Sequence, residues 1–294
     1  VATFPNGYRD DASLWPWELC ELFNLSAAVE RSADFDVIHY QSEYYPMSLA
    51  YSRLASVPLV QTVHHAPDPS EVALWSRYAD APFIAISREQ ARLLSGLSVV
   101  ATIPHAVDLA RFPFTESPED YLVFLGRFTE GKGVLQAIDV ARRTGMRLLL
   151  AAAENDYFRE TVAPHVDGVH VVYVGELAHD AKVALLGGAR AMLYPVQAPE
   201  PFGLVLPEAM ACGTPVAAIG IGAVPELVEP DVSGGVFASL DQMVEGLPRV
   251  CALDRRRVRA SAEARFGVDR VVESHEQAYR ELSVSRRERA ASRD

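Results

Sequence analysis

Positive charge, cysteine and long apolar runs are what this chain of 294 residues has least of. Acidic residues outnumber basic ones 39 to 27, a formal net charge of −12. The accumulated positive field that holds nucleic acid or an anionic lipid surface is therefore missing, and a phosphate-bearing ligand would need a local basic site. The three cysteines, Cys20, Cys212 and Cys251, are odd in number and form no metal-ligand cluster, which points to a reducing cytoplasm. No run of about eighteen apolar residues appears and the start is no signal peptide. The expectation is a cytoplasmic protein without a transmembrane segment, with peripheral membrane contact left open. What the chain does have is length for two domains and an ordinary globular hydrophobic content of 49%.

Apolar runs alternate with helical patterns from Tyr121 onward. Strands are expected at Tyr121 to Leu125, Arg147 to Ala153, Val169 to Val174, Ala191 to Pro195 and Pro215 to Ile219. Helices are expected at Val134 to Arg143, from about Asp156, at Asp180 to Gly187 and at Pro207 to Cys212. Short apolar runs separated by helices make a parallel sheet covered on both faces, a Rossmann-like domain. The first part offers strands at Asp36 to Tyr40, Pro58 to Val63 and Phe83 to Ile86, a second and incomplete sheet domain. Val1-Ala2-Thr3-Phe4 reads as the end of an interior strand, so a segment upstream is expected to be missing. The Pro-rich stretch Phe112 to Glu119 is read as the hinge, which gives domains 1–112 and 113–269, with a C-terminal helix of about 270–294 returning to the first. Arg255 to Leu282 is helical in periodicity with a break at Phe266-Gly267.

The most informative stretch is Glu200-Pro201-Phe202-Gly203-Leu204-Val205-Leu206-Pro207-Glu208, followed by Ala209-Met210-Ala211-Cys212-Gly213-Thr214-Pro215. Pro201 and Gly203 keep its first half out of a helix, while Pro207 suits a first helical position and Gly213 a stop. A loop leading into a helix start offers unpaired N–H groups to an anion, and the flanking carboxylates can accept hydroxyl protons. Anion plus hydroxyls describes a sugar nucleotide. Gly126-Arg127-Phe128-Thr129-Glu130-Gly131-Lys132-Gly133 lies between a strand and a helix and supplies two cations able to neutralise a diphosphate without a metal. Its spacing fits neither a Walker loop nor the Gly-x-Gly-x-x-Gly fingerprint. Ser87 and Gln90 have capping-box spacing and read as structural.

Together these segments resemble retaining glycosyltransferases of family four, whose fold is GT-B: two Rossmann-like domains facing a central cleft. The resemblance covers the chain from about Asp36. It implies a retaining hexosyltransferase that moves a sugar from a nucleoside-diphosphate donor, UDP favoured, to an acceptor hydroxyl, with no metal and no cofactor. It implies that Glu200 holds the sugar hydroxyls, that Phe202 and the backbone of Gly203, Leu204 and Val205 meet sugar and phosphate, and that Glu208 binds the ribose. Arg127 and Lys132 would stabilise the departing diphosphate. His64, in the run Thr62-Val63-His64-His65 that ends a predicted strand, would stabilise charge developing at the anomeric carbon, with His65 as the alternative match. Gly220 to Glu226 resembles the family's Gly-Gly-x-Pro-Glu turn, with Ala223 where a second glycine would stand and a Cβ that would resist a positive φ. Pro104-His105-Ala106-Val107-Asp108 replaces the family's Asn-Gly-Val-Asp turn and departs at its first two positions, making His105 a further candidate. Asp231 to Gly235 resembles a structural turn. Tyr8, Trp15, Trp17, Tyr44 and Tyr45 are candidates for an acceptor groove. A GT-B epimerase or phosphorylase, and a sugar-nucleotide-binding protein without transfer activity, are the alternatives.

Overall fold

The structure, a computed structural model, describes residues 17–41 and 45–291. Two compact units divide the chain: residues up to Pro104 with those from Val272 onward, and His105–Val271. In the first unit α1 (Trp17–Glu30), β1 (Ile38–Tyr40), α2 (Tyr45–Tyr51), β2 (Leu59–Thr62), α3 (Pro69–Trp75), β3 (Pro82–Ala85), α4 (Arg88–Leu93) and β4 (Ser98–Thr102) alternate along the chain. The strands are parallel, in the order β1-β2-β3-β4. Strand β2 is buried at every residue, as a strand with both faces covered must be. Around the sheet, Leu25, Leu49, Val63, Trp75, Phe83 and Leu94 close the core. The expected strand at Val1 to Phe4, and Tyr8, Trp15 and Tyr44, lie outside the described residues.

The second unit runs through β5 (Leu122–Leu125), α5 (Val134–Thr144), β6 (Leu148–Ala151), β7 (Val171–Tyr173), α6 (His179–Gly188), β8 (Ala191–Tyr194), α7 (Val205–Ala211), β9 (Val216–Ile219), α8 (Val224–Leu227), β10 (Gly234–Phe237), α9 (Leu240–Cys251) and α10 (Arg255–Phe266). Its six parallel strands are ordered β10-β9-β8-β5-β6-β7. From β5 the chain adds strands in one direction, and from β8 it adds them in the other. The loops after β5 and β8 therefore open side by side at the carboxyl edge where the order reverses, the place where open α/β sheets hold their ligands. Helix α11 (Val268–Ala291) starts in this unit and counts with the first from Val272.

Two expectations are corrected here, and a third is met in altered form. Residues 105–112, expected with the first domain, pack in the second unit: the Val107 N–H donates to the Phe266 carbonyl at 2.7 Å, and the Arg259 guanidinium donates to the carbonyls of Leu109 and Phe112. The helical stretch expected from about Asp156 is present, as a π-helical turn over Phe158–Val162 followed by a 3-10 turn over Ala163–His165. Helix α7 begins at Val205, so Pro207 is its third residue, still within the first turn whose N–H groups have no intrahelical acceptor.

Candidate functional site

The loop after β5 ends in a 3-10 turn, Glu130–Lys132, and Gly133 then takes a left-handed conformation at φ 75° before α5 begins. A Cβ on Gly133 would lie 1.9 Å from the Pro195 carbonyl oxygen, so only glycine lets this loop pass so close to the one after β8. The Gln197 N–H donates to the Gly131 carbonyl at 2.8 Å and joins the two loops. That contact brings together the cations and carboxylates singled out in the sequence. Lys132 Nζ donates to Glu200 Oε1 at 2.6 Å, and their side chains are 18% and 20% exposed. The cation suited to phosphate and the carboxylate suited to sugar hydroxyls are thus paired with each other. Arg127 is exposed and makes no ion pair or hydrogen bond among the described residues.

Glu200 is held from behind by the turn after β9. The Ala223 N–H donates to the Glu200 carbonyl at 3.0 Å, and Gly222, at φ 62°, lies where a Cβ would stand 2.5 Å from the Glu200 nitrogen. The positive φ falls on Gly222 and not on its neighbour: Ala223 has φ −77° and leads into α8, so its Cβ causes no strain. Gly203, at φ 95°, turns the chain toward α7. The N–H groups of Gly203, Leu204 and Val205 make no hydrogen bond among the described residues. Leu204 is exposed, and Val205 opens α7. The Phe202 ring is buried, with its edge contacts made to His105 (centroids 4.9 Å apart) and Phe266 (6.1 Å). It is a packing residue, and the expected donor contact can come only from its backbone; His105 likewise serves as the partner of that ring.

Two groups that no motif marked complete the arrangement. Lys182 on α6 donates to Glu208 Oε1 at 2.8 Å, with side chains 23% and 19% exposed, and its ammonium lies 5.1 Å from the centre of the Phe112 ring. Glu208 Oε2 accepts no hydrogen bond among the described residues. Tyr194, the last residue of β8, is 3% exposed, and its hydroxyl has no hydrogen-bond partner among the described residues. Burial first, and then the nearby Glu200 charge, push the pKa of this phenol up, although the two groups do not meet in hydrogen-bond geometry. A lysine in the first turn of a helix and a tyrosine at a strand end carry no sequence signal of function.

In the first unit His64 follows β2. Gln90, fully buried on α4, donates its two amide hydrogens to the carbonyls of Val63 (2.9 Å) and His65 (2.8 Å) and accepts from the Ile86 N–H. This clamps the turn on both sides of His64. Ser87 does cap α4, accepting from the Gln90 N–H at 3.0 Å, but the Gln90 side chain reaches this turn and does not complete a capping box. His65 Nε2 pairs with Glu71 at 3.0 Å, and its ring meets Trp75 edge-on. Glu71 and Asp68 form the capping box of α3, so His65 is tied to helix α3. No group of three His, Cys, Asp or Glu residues able to hold a metal occurs among the described residues, and no helix among them is long and apolar enough to cross a membrane.

Comparison with known proteins gives this site its family. Residues 109–265 match the family described as "Glycosyl transferases group 1", and residues 3–111 match "Glycosyltransferase Family 4". Glycogen synthase of Mycobacterium tuberculosis is 30% identical over 213 residues, 62% of this chain and 51% of that protein, so the chain spans about half the length of this relative. Phosphatidyl-myo-inositol mannosyltransferase of Mycobacterium leprae is 27% identical over 79% of this chain and 69% of its own. Among solved structures, AviGT4, a glycosyltransferase involved in avilamycin A biosynthesis, superposes with a TM-score of 0.72 at 26% identity, over 90% of this chain and 78% of that one. Sucrose-phosphate synthase from Thermosynechococcus elongatus reaches 0.72 at 20% identity and shares the fold. A strand-order reversal lined by paired glutamates and lysines, on a chain matched by these families through most of its length, makes it a GT-B protein of the glycosyl transferases group 1 family.

Proposed function

We propose that the chain is a retaining hexosyltransferase that moves a sugar from a nucleoside-diphosphate donor, UDP-linked by preference, to an acceptor hydroxyl. The observation that carries this reading is the meeting of Lys132, Glu200 and the free N–H groups of Gly203 to Val205 at the switch point of the sheet. In this reading the diphosphate takes Lys132 and Arg127 as its counter-charges, so no metal is required of it. Glu200 accepts hydroxyl protons of the sugar, and Glu208 accepts those of the ribose through its open Oε2. His64, assigned from the family resemblance, stabilises positive charge at the anomeric carbon. The bond from that carbon to the diphosphate oxygen breaks as the acceptor oxygen attacks from the same face. The acceptor proton passes to the departing phosphate oxygen, and no covalent enzyme intermediate forms.

The test offers UDP-, GDP- and ADP-hexoses with a panel of hydroxyl acceptors and reads nucleotide release together with the anomeric configuration of the product by NMR. The expected result is acceptor-dependent release, retained configuration, and a fall of about a hundredfold or more in Glu200→Gln. Acceptor-independent release of free UDP with an epimerised sugar would make it an epimerase. Nucleotide binding without any turnover would make it a binding protein.

A further inference from the structure

The hydroxyl of Tyr194 is the one buried side-chain polar atom without a partner among the described residues. Leaving such a group unpaired costs stability, and phenylalanine would fill the same space without that cost. The hydroxyl lies directly under the Glu200 loop: a Cβ built on Gly203 would stand 2.8 Å from it. Above it, the only hydrogen bond to the Glu200 carboxylate among the described residues is from Lys132. If Lys132 is to serve a diphosphate, that bond must weaken or break when the diphosphate arrives. Glu200 would then be a carboxylate without a counter-charge or a donor beside a strongly anionic ligand, and nothing would hold its oxygens in the orientation that accepts from sugar hydroxyls.

We infer that Tyr194 is a positioning residue, the reserve hydrogen-bond donor to Glu200, engaged when the donor's diphosphate draws Lys132 away. The inference rests on the donor-site reading proposed above. The phenol lies under the loop that carries Glu200 and is close enough to feel its charge. Burial keeps the phenol protonated, so it donates a hydrogen bond and transfers no proton. The exchange leaves Glu200 charged, aimed and free of the lysine in the loaded site. The cost is borne in the empty site, as an unpaired hydroxyl.

Calorimetric binding of UDP, or of whichever of GDP and ADP the parent binds, tests this in the parent, Tyr194→Phe, Glu200→Ala and the double variant. In the empty state Tyr194→Phe should melt at the parent's temperature or up to about 4 °C above it. It should bind the nucleotide about tenfold more weakly. In the Glu200→Ala background the effect of Tyr194→Phe should vanish. Unchanged affinity in Tyr194→Phe overturns the inference, as does an equal loss whether or not Glu200 is present. A folded parent that binds none of the three nucleotides overturns the donor-site reading itself and this inference with it.

Discussion

Replacing Gly222 by alanine bears directly on how the Glu200 loop is held. At φ 62° an alanine enters the left-handed region, which costs about 1 to 2 kcal/mol. Its Cβ would lie 2.5 Å from the Glu200 nitrogen and 2.6 Å from the Glu200 oxygen. Both contacts are backbone atoms, so the loop must move, and the Ala223 to Glu200 hydrogen bond at 3.0 Å is lost at a further cost of about 1 kcal/mol. A total of about 3 kcal/mol should lower the melting temperature by roughly 6 to 12 °C for a domain of this size. Because the displaced residue is Glu200, transfer should fall by more than the loss of folded protein explains. Ala223→Gly is the control: its backbone is ordinary helical, so it should cost only about 0.5 to 1 kcal/mol and leave transfer intact. Differential scanning calorimetry and a turnover assay on both variants read these effects. Parent-like melting and turnover in Gly222→Ala would refute the reasoning.

Other perturbations reach the remaining groups. Lys182→Met keeps the apolar stem against Phe112 but releases Glu208; the parent should prefer a nucleoside diphosphate over its 2′,3′-dideoxy analogue by about tenfold or more, and the variant should lose most of that preference, whereas an unchanged preference would separate Lys182 from the ribose. His39, hydrogen-bonded to Tyr279 of α11 at 2.6 Å and to Thr62 at 2.7 Å, has its pKa lowered to about 4 by burial and by the neighbouring His275 and His64. The unfolded ring protonates first as pH falls, so the first unit should lose up to about 3 kcal/mol between pH 6.5 and 4; His39→Gln should flatten that slope in denaturant titrations, and an equal slope would assign the loss to other groups. Gln90→Ala should destabilise by about 2 to 4 kcal/mol through the unpaired carbonyls of Val63 and His65, read by urea unfolding, while a parent-like midpoint would show that the turn carrying His64 does not depend on it.

The sheet of the second unit was legible because its strands are short apolar runs bounded by helices, and all five expected from Tyr121 onward are present. β10 was not, since Gly234 and Gly235 read as turn residues. They are there for close packing: a Cβ on Gly234 would lie 2.1 Å from the Val216 carbonyl oxygen of the neighbouring strand. β4, partly exposed along Ser98–Thr102, lacks the apolar run of a buried strand. Periodicity alone also hid the capping box of Asp68 and Glu71. Glu200, Glu208, Lys132 and Arg127 could be named because their motifs are contiguous. The pairing of Lys132 with Glu200 and of Lys182 with Glu208, and the orphaned Tyr194 hydroxyl, depend on contacts between distant loops and could not be read from spacing. Phe202 sits inside the motif yet packs in the core, which shows that a motif position need not present its side chain to a ligand.

The most direct test of the donor site is calorimetric titration of UDP, GDP and ADP into the parent chain and Lys132→Ala in metal-free buffer. Binding of one nucleotide at micromolar strength, weakened by roughly 1 to 3 kcal/mol in the variant as loss of a charge-assisted contact requires, is the predicted result. A folded parent that binds none of them, or a variant that binds as tightly as the parent, would contradict the account.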